Sequence, residues 1–157
     1  MKIIILVFFF LILNLSNVYS QKYNDLLNEV KIIDGTDIEK INRLLEKVIK
    51  VVEIETEYVQ KCNNEMRLFS KSRTISCDEL KRRIKDSYID NLGLIMFNEN
   101  LNKAVLDAAK RHDELNKKKS KEANAVEAKK LSYNVTLMVS RMKNFNHELE
   151  EFNLRRE

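Results

Sequence analysis

Two cysteines are the residues of this 157-residue chain whose number and spacing most directly predict a covalent bond. Cys62 and Cys77 flank a serine-rich, cationic stretch, and only one intramolecular pairing exists for two cysteines. In an oxidising compartment we expect a disulfide, which would stabilise the fold by about 3 kcal/mol through loop closure. Free thiols and a bridge between chains are the alternatives. Bringing the cysteines together predicts that the preceding helix ends at 64–66 and that Leu68, Phe69 and Ile75 fold back.

Only two histidines are available for acid, base or metal chemistry. His147 is followed by Glu148, but Glu151 stands where a zinc-binding motif requires a second histidine. His112 lies on an apolar stripe, where we expect a half-buried, hydrogen-bonded imidazole that could pair with Glu55. A lysine partner for Glu55, or an exposed Glu55 at the edge of the stripe, is the alternative. The sequence therefore predicts no catalytic residue, no metal, no cofactor and a non-enzymatic protein.

Two glycosylation sequons are present, Asn14-Leu15-Ser16 and Asn134-Val135-Thr136, and the first is discounted because it lies within the expected signal peptide. Val135 belongs to an apolar stripe, and its neighbour Asn134 is expected to point to solvent. In an exported chain this predicts a glycan on Asn134.

Cationic residues cluster in two stretches, which an antiparallel arrangement would place at opposite ends of the molecule. They are Lys71, Arg73, Lys81, Arg82 and Arg83 near the cysteines, and Lys117, Lys118, Lys119 and Lys121 farther on. These clusters indicate either solvated helix ends or a surface that binds an acidic partner such as a glycan, a phosphate polymer or an anionic membrane. A net charge of only +4 and the lack of interleaved aromatic residues argue against nucleic acid.

Several methionines and phenylalanines recur at helical spacing and could fill a core or line a cavity for an apolar ligand. They are Met66, Met96, Phe97, Met138, Met142, Phe145 and Phe152. The cavity is the basis for an alternative function, that of a carrier.

Helices must position all of these residues, because the chain has two glycines and no proline. Apolar residues at alternating three- and four-residue steps form a stripe over Thr36 to Phe69 that is interrupted only by Glu55. The stripe predicts a long helix, which the expected disulfide would end at 64–66. A short helix is expected before it, over 23–33. Further stripes predict a long segment from about Cys77, with a kink or a brief break near Gly93 and 98–100. A turn within 116–124 and a last long helix, whose stripe begins at Ala128, are expected next, and a continuous helix through this region is the alternative.

The predicted fold is therefore all-α: an elongated antiparallel bundle of three long helices plus a short N-terminal helix, forming one domain over 21–157. Residues 1–20 are typical of a signal peptide, with Lys2 before an apolar run that ends at Leu13. An uncleaved anchor is the alternative interpretation. No later stretch is apolar enough to span a bilayer, so we expect secretion without stable membrane insertion.

These features predict a secreted protein that acts by recognising another macromolecule, with a protein as the expected partner. The carrier of a small apolar ligand is the alternative, and the long apolar stripes could also pair two copies of the chain.

Overall fold

The computed structural model describes residues 23–69, 75–118 and 124–156, and all regular structure within them is helical. Helix α1 spans 23–32. The helices after it are α2 (Ile38–Phe69), α3 (Ile75–Lys85), α4 (Tyr88–Met96), α5 (Glu99–Lys117) and α6 (Ala125–Arg156). The all-α prediction is confirmed for these residues. The predicted signal peptide, 1–20, lies outside them.

Helix α2 is central to the fold because two adjacent rows of its residues are buried. One row is the predicted apolar stripe, which includes Leu45, Val52 and Val59. The other row repeats every seven residues and consists of Asn42, Ile49, Thr56 and Asn63, all buried. A seven-residue repeat keeps one side of a helix against a long partner helix.

That partner is α6, which runs in the same direction as α2. Lys130 pairs with Glu46 near the start of both helices at 2.8 Å, and Arg67 pairs with Glu151 near their ends. The side of α6 that faces inward also repeats every seven residues, through the buried residues Leu131, Met138, Phe145 and Phe152.

Two matching amide contacts set the register of α2 against α6. The side-chain amide of Asn42 donates to the backbone carbonyl of Glu127 at 2.9 Å and to its carboxylate at 2.7 Å. Asn63 makes the same two contacts with Glu148, both at 2.9 Å. The second contact lies three seven-residue repeats after the first on both helices, so the register is constant between them.

The middle segment, predicted as a long helix with a kink or a brief break near Gly93 and 98–100, consists of three helices separated by two breaks. The first break, between α3 and α4, was not predicted and contains Ser87 in the left-handed region at φ 61°. The second break lies at Phe97 and Asn98, in the predicted region. There the Asn98 side chain caps α5 by accepting from the backbone N–H groups of Asn100 and Leu101.

The turn before α2 lies directly against α5. Asp37 caps α2, since its carboxylate accepts from the backbone N–H of Lys40 at 2.9 Å. A Cβ atom on Gly35 would lie 2.4 Å from the Cβ of Asp107, so only glycine allows this approach.

The predicted disulfide is confirmed, whereas the predicted early end of α2 is wrong. Cys62 and Cys77 are bonded, with 4.6 Å between their Cα atoms. Helix α2 nevertheless continues to Phe69, and Leu68 and Ile75 are 77% and 89% exposed instead of folding back. The chain passes beyond Cys62 and returns, which brings the first turn of α3 level with that cysteine.

Candidate recognition groove

The most elaborate polar cluster is a buried ion pair that joins α2 and α3. Glu55 and Arg83 are fully buried, and the Arg83 Nε donates to a Glu55 carboxylate oxygen at 2.7 Å while a second guanidinium nitrogen donates to the other oxygen. The hydroxyl of Tyr23 on α1 also donates to Glu55. The guanidinium carbon lies 4.1 Å from the ring centroid of Tyr58 and 4.9 Å from that of Tyr88. Four helices therefore meet at one charge pair.

The environment of this pair keeps its proton donors protonated. Burial, followed by the negative charge and hydrogen bond of Glu55, raises the pKa of the Tyr23 hydroxyl. Burial opposes the charge on Arg83, but the hydrogen bonds and negative charge of Glu55 raise the pKa of its guanidinium above the ordinary value. These polar atoms bond to one another inside the core, so the cluster holds the four helices in a fixed arrangement.

This cluster corrects one expectation about Glu55. Its partners are Arg83 and Tyr23, and the predicted pairing with His112 is wrong. His112 lies on α5 with its Nδ1 3.9 Å from an oxygen of Asp113, and its Nε2 is buried without a hydrogen-bond partner among the described residues. The expectation of a hydrogen-bonded imidazole is therefore also wrong for Nε2.

The other candidate ligands for a metal are dispersed. His147 is mostly exposed on α6, where its Nε2 lies 3.9 Å from Glu151. Across the ranges that the structure describes, no three His, Cys, Asp or Glu side chains are grouped so as to hold a metal ion.

The predicted cationic surface does not form as expected near the cysteines. Arg83 is buried against Glu55, and Arg82 pairs with Glu79 at 2.8 Å and with Asp86 at 3.3 Å. Other members occupy partly or fully exposed positions, namely Lys81, Lys117 and Lys118. The remaining members lie outside the described residues: Lys71, Arg73, Lys119 and Lys121.

The predicted glycosylation site faces the interior of the fold. Asn134 is 3% exposed, and its side-chain nitrogen, the atom to which a glycan would be attached, lies 3.3 Å from the Asn42 side-chain oxygen. The expectation that Asn134 points to solvent is wrong, because it belongs to the contact between α2 and α6.

The methionines and phenylalanines proposed as a cavity lining are distributed between core and surface. Most of them pack within the core, namely Met66, Met96, Met138, Phe145 and Phe152, and Met142 is partly buried against it. Phe97 is the exception, with 64% of its surface exposed.

Phe97 lies at an open apolar groove between the α4–α5 junction and α6, which we call the α4–α6 groove. The groove has a volume of about 880 Å³. Leu94 and Phe97 form its rim and are 59% and 64% exposed, while the buried Met96 and Phe145 and the partly buried Leu149 line it beneath them. This rim results from the break that ends α4. Phe97 is the residue at which the helix ends, and its side chain is exposed and not packed in the core.

The charged residues lining the groove are both acidic, although the chain as a whole is cationic. Asp90 on α4 and Glu99 at the start of α5 are exposed, and Asn98, Asn100 and Asn146 supply neutral polar groups. The groove thus combines apolar side chains with two acidic ones.

No protein-family model, curated protein sequence or solved structure matches this chain. Among the helices of the described ranges, none is both long enough and apolar enough to cross a membrane.

Proposed function

We propose that this chain is a secreted, non-enzymatic recognition protein that binds a cationic amphipathic segment of another polypeptide in the α4–α6 groove. The scaffold is an elongated antiparallel bundle in which α3 to α5 run opposite to α2 and α6. The Cys62–Cys77 disulfide and the apolar N-terminal stretch support export to an oxidising compartment.

The observation that carries the proposal is the exposure of Leu94 and Phe97 above an apolar lining. Contiguous exposed apolar residues in a groove are typical of binding surfaces, and aromatic residues are enriched at the centres of protein interfaces. A groove bordered by helices suits an amphipathic helix, whose apolar side chains repeat at three- and four-residue steps.

The negative charge of the two carboxylates that line the groove favours a cationic partner. Asp90 and Glu99 attract a peptide that carries lysine or arginine beside its apolar face, and they disfavour an acidic one. Neutralising both carboxylates should therefore reduce the preference for cationic peptides without removing the apolar contact.

Calorimetric titration with two model helices tests this proposal. The peptides share one leucine face and differ only in carrying lysine or glutamate on the other. We expect the lysine peptide to bind about tenfold more tightly than the glutamate peptide. Phe97→Ser should weaken its binding about tenfold or more.

Leu106→Ser is the matched control, because Leu106 is 60% exposed on α5 and does not line the groove. It should leave the affinity of the lysine peptide unchanged. Equal losses from Phe97→Ser and Leu106→Ser would mean that binding is nonspecific, and tight binding of the glutamate peptide would contradict the charge argument.

A further inference from the structure

The first three turns of α6 present two large apolar side chains to solvent. Val126 and Tyr133 are 73% and 65% exposed. Lys129 is also exposed and lies between them on the same side of the helix, at steps of three and four residues. The acid in this stretch, Glu127, turns towards α2, where its carboxylate accepts from the amide of Asn42. We call Val126, Lys129 and Tyr133 the α6 ridge.

The charge around the α6 ridge is opposite to that of the α4–α6 groove. Lys129 is part of the ridge, and two more exposed lysines, Lys117 and Lys118, lie where α5 ends. The end of α5 lies beside the start of α6, since Leu115 and Asn124 line one small cavity. The ridge therefore combines exposed apolar groups with cations, as the proposed function requires of a partner for the acidic groove.

The α6 ridge cannot occupy the groove of its own chain. Both surfaces belong to the continuous helix α6, in which Tyr133 precedes the groove residue Phe145 by roughly 18 Å along the axis at 1.5 Å per residue. An unbroken helix holds that separation fixed. A ridge that lies in a groove must therefore come from a second copy of the chain.

We propose that the α6 ridge of one copy binds in the α4–α6 groove of another, so that the protein assembles head to tail. This inference rests on the proposed function, because it identifies a second copy as the cationic amphipathic partner. Val126 and Tyr133 meet the apolar rim of the groove, and Lys129 meets its carboxylates. The two surfaces differ, so each added copy leaves one ridge and one groove open, and assembly continues into chains or closes into a ring.

The other end of α6 provides a matched control. Leu154 lies three seven-residue repeats after Tyr133 on the same side of the helix and is about as exposed as Val126. Its exposed neighbour on that side is the acidic Glu150, which an acidic groove disfavours. Leu154→Ser should therefore leave assembly unchanged, whereas Tyr133→Ser should weaken it about tenfold or more.

Sedimentation velocity over a range of protein concentrations tests the proposal, with circular dichroism to check that each variant is folded. The wild-type protein should form species larger than a dimer as its concentration rises. Phe97→Ser, which damages the groove, and Tyr133→Ser, which damages the ridge, should each remain monomeric over that range. An equimolar mixture of these two variants should form a dimer and nothing larger, because the mixture contains one intact ridge and one intact groove.

Exchange of charges tests the ionic part of the contact. Lys129→Glu should weaken assembly about tenfold or more, and adding Asp90→Lys to the same chain should restore part of the loss. Raising the salt concentration should weaken assembly of the wild-type protein.

The proposal is overturned if the wild-type protein is monomeric at about 1 mM, if the mixture of Phe97→Ser and Tyr133→Ser does not dimerise, or if Leu154→Ser acts like Tyr133→Ser. The lysine peptide separates this proposal from the proposed function. It should bind wild type and Tyr133→Ser alike, and it should dissociate the wild-type assembly. Binding of the peptide to a wild-type protein that stays monomeric would overturn head-to-tail assembly alone, whereas assembly that persists in Phe97→Ser would show that the groove is not its site.

Discussion

Replacing Arg83 with methionine should be among the most destabilising single changes in this protein. The side chain is fully buried, donates to both oxygens of Glu55 and lies over the rings of Tyr58 and Tyr88. Methionine has a similar length but no charge. The change therefore leaves the Glu55 carboxylate buried with only the hydroxyl of Tyr23 as a described donor.

The expected cost follows from the loss of one partner of a buried pair, which typically lowers the free energy of unfolding by about 3–5 kcal/mol. Loss of the guanidinium contacts with two aromatic rings adds to this, at about 0.5–2 kcal/mol for each ring. Replacing both charges, as Glu55→Leu with Arg83→Met, should recover most of the loss. The remaining deficit should be about 1–3 kcal/mol, because the buried Tyr23 hydroxyl then lacks its acceptor.

Urea unfolding followed by far-ultraviolet circular dichroism measures these differences. Arg82→Met is the matched control on the same helix, because Arg82 forms partly exposed pairs with Glu79 and Asp86. Such pairs contribute about 0–1 kcal/mol. If Arg83→Met costs no more than Arg82→Met, or if the double variant is less stable than Arg83→Met alone, the reasoning about the buried pair is refuted.

Three further predictions concern the backbone and the alkaline limit of stability. Gly35→Ala should lower the free energy of unfolding by about 1–3 kcal/mol through its clash with α5, whereas Gly93→Ala, in open space within α4, should raise it by about 0.5–1 kcal/mol. Ser87→Gly should stabilise the protein by about 1 kcal/mol, because glycine adopts the left-handed conformation without strain. Because the pKa of Tyr23 is raised on folding, stability should be retained below pH 10 and fall above it, by up to about 1.4 kcal/mol per pH unit. Tyr23→Phe should reduce that slope, and Tyr133→Phe, at an exposed position, should not. Urea unfolding of each variant, with a pH series for the tyrosines, checks these values.

Three outcomes would contradict these arguments. They are equal effects of alanine at the two glycines, a destabilising Ser87→Gly, and an alkaline slope that is independent of Tyr23.

The helical class and the disulfide could be predicted because each depends on local or compositional signals. Without proline and with two glycines, the chain has few residues that interrupt helices, and the apolar stripes predicted where α2 begins and that a last long helix, α6, ends the fold. The end of α2 near the cysteines could not be placed correctly. A pair of bonded cysteines constrains the distance between two helices, but it does not require either helix to stop there.

Arg83 was assigned to a surface cluster because consecutive cationic residues usually lie in solvent. The sequence nevertheless contained a signal for burial. Arg83 lies three positions after the buried Leu80, and therefore on the same side of α3. Glu55, the one acid in the stripe of α2, needed a cationic partner. The two tyrosine rings that flank the guanidinium come from separate helices, and their positions depend on tertiary packing.

The polar contacts between α2 and α6 were missed for a different reason. The prediction followed the apolar stripe of α2 and passed over Asn42 and Asn63, which lie beside it on a row of seven-residue spacing. Asn134 lies between Leu131 and Met138 on the buried side of α6, so its position favoured burial more strongly than the sequon favoured exposure.

The periodicity of the sequence could not predict the groove. Phe97 belonged to an apolar stripe and was expected in the core or a cavity, whereas the helix break at Phe97 and Asn98 leaves it exposed. The groove also depends on where α6 lies relative to that break, which is set by tertiary packing.

Selection of random peptides displayed on phage is the most direct test of recognition through the α4–α6 groove. The library is selected on the wild-type protein after depletion on the Phe97→Ser variant, with Leu106→Ser as a second target that should retain binding. We expect enriched peptides with apolar residues at helical spacing and lysine or arginine between them. Enrichment of acidic peptides, or no enrichment after depletion on Phe97→Ser, would contradict recognition through this groove.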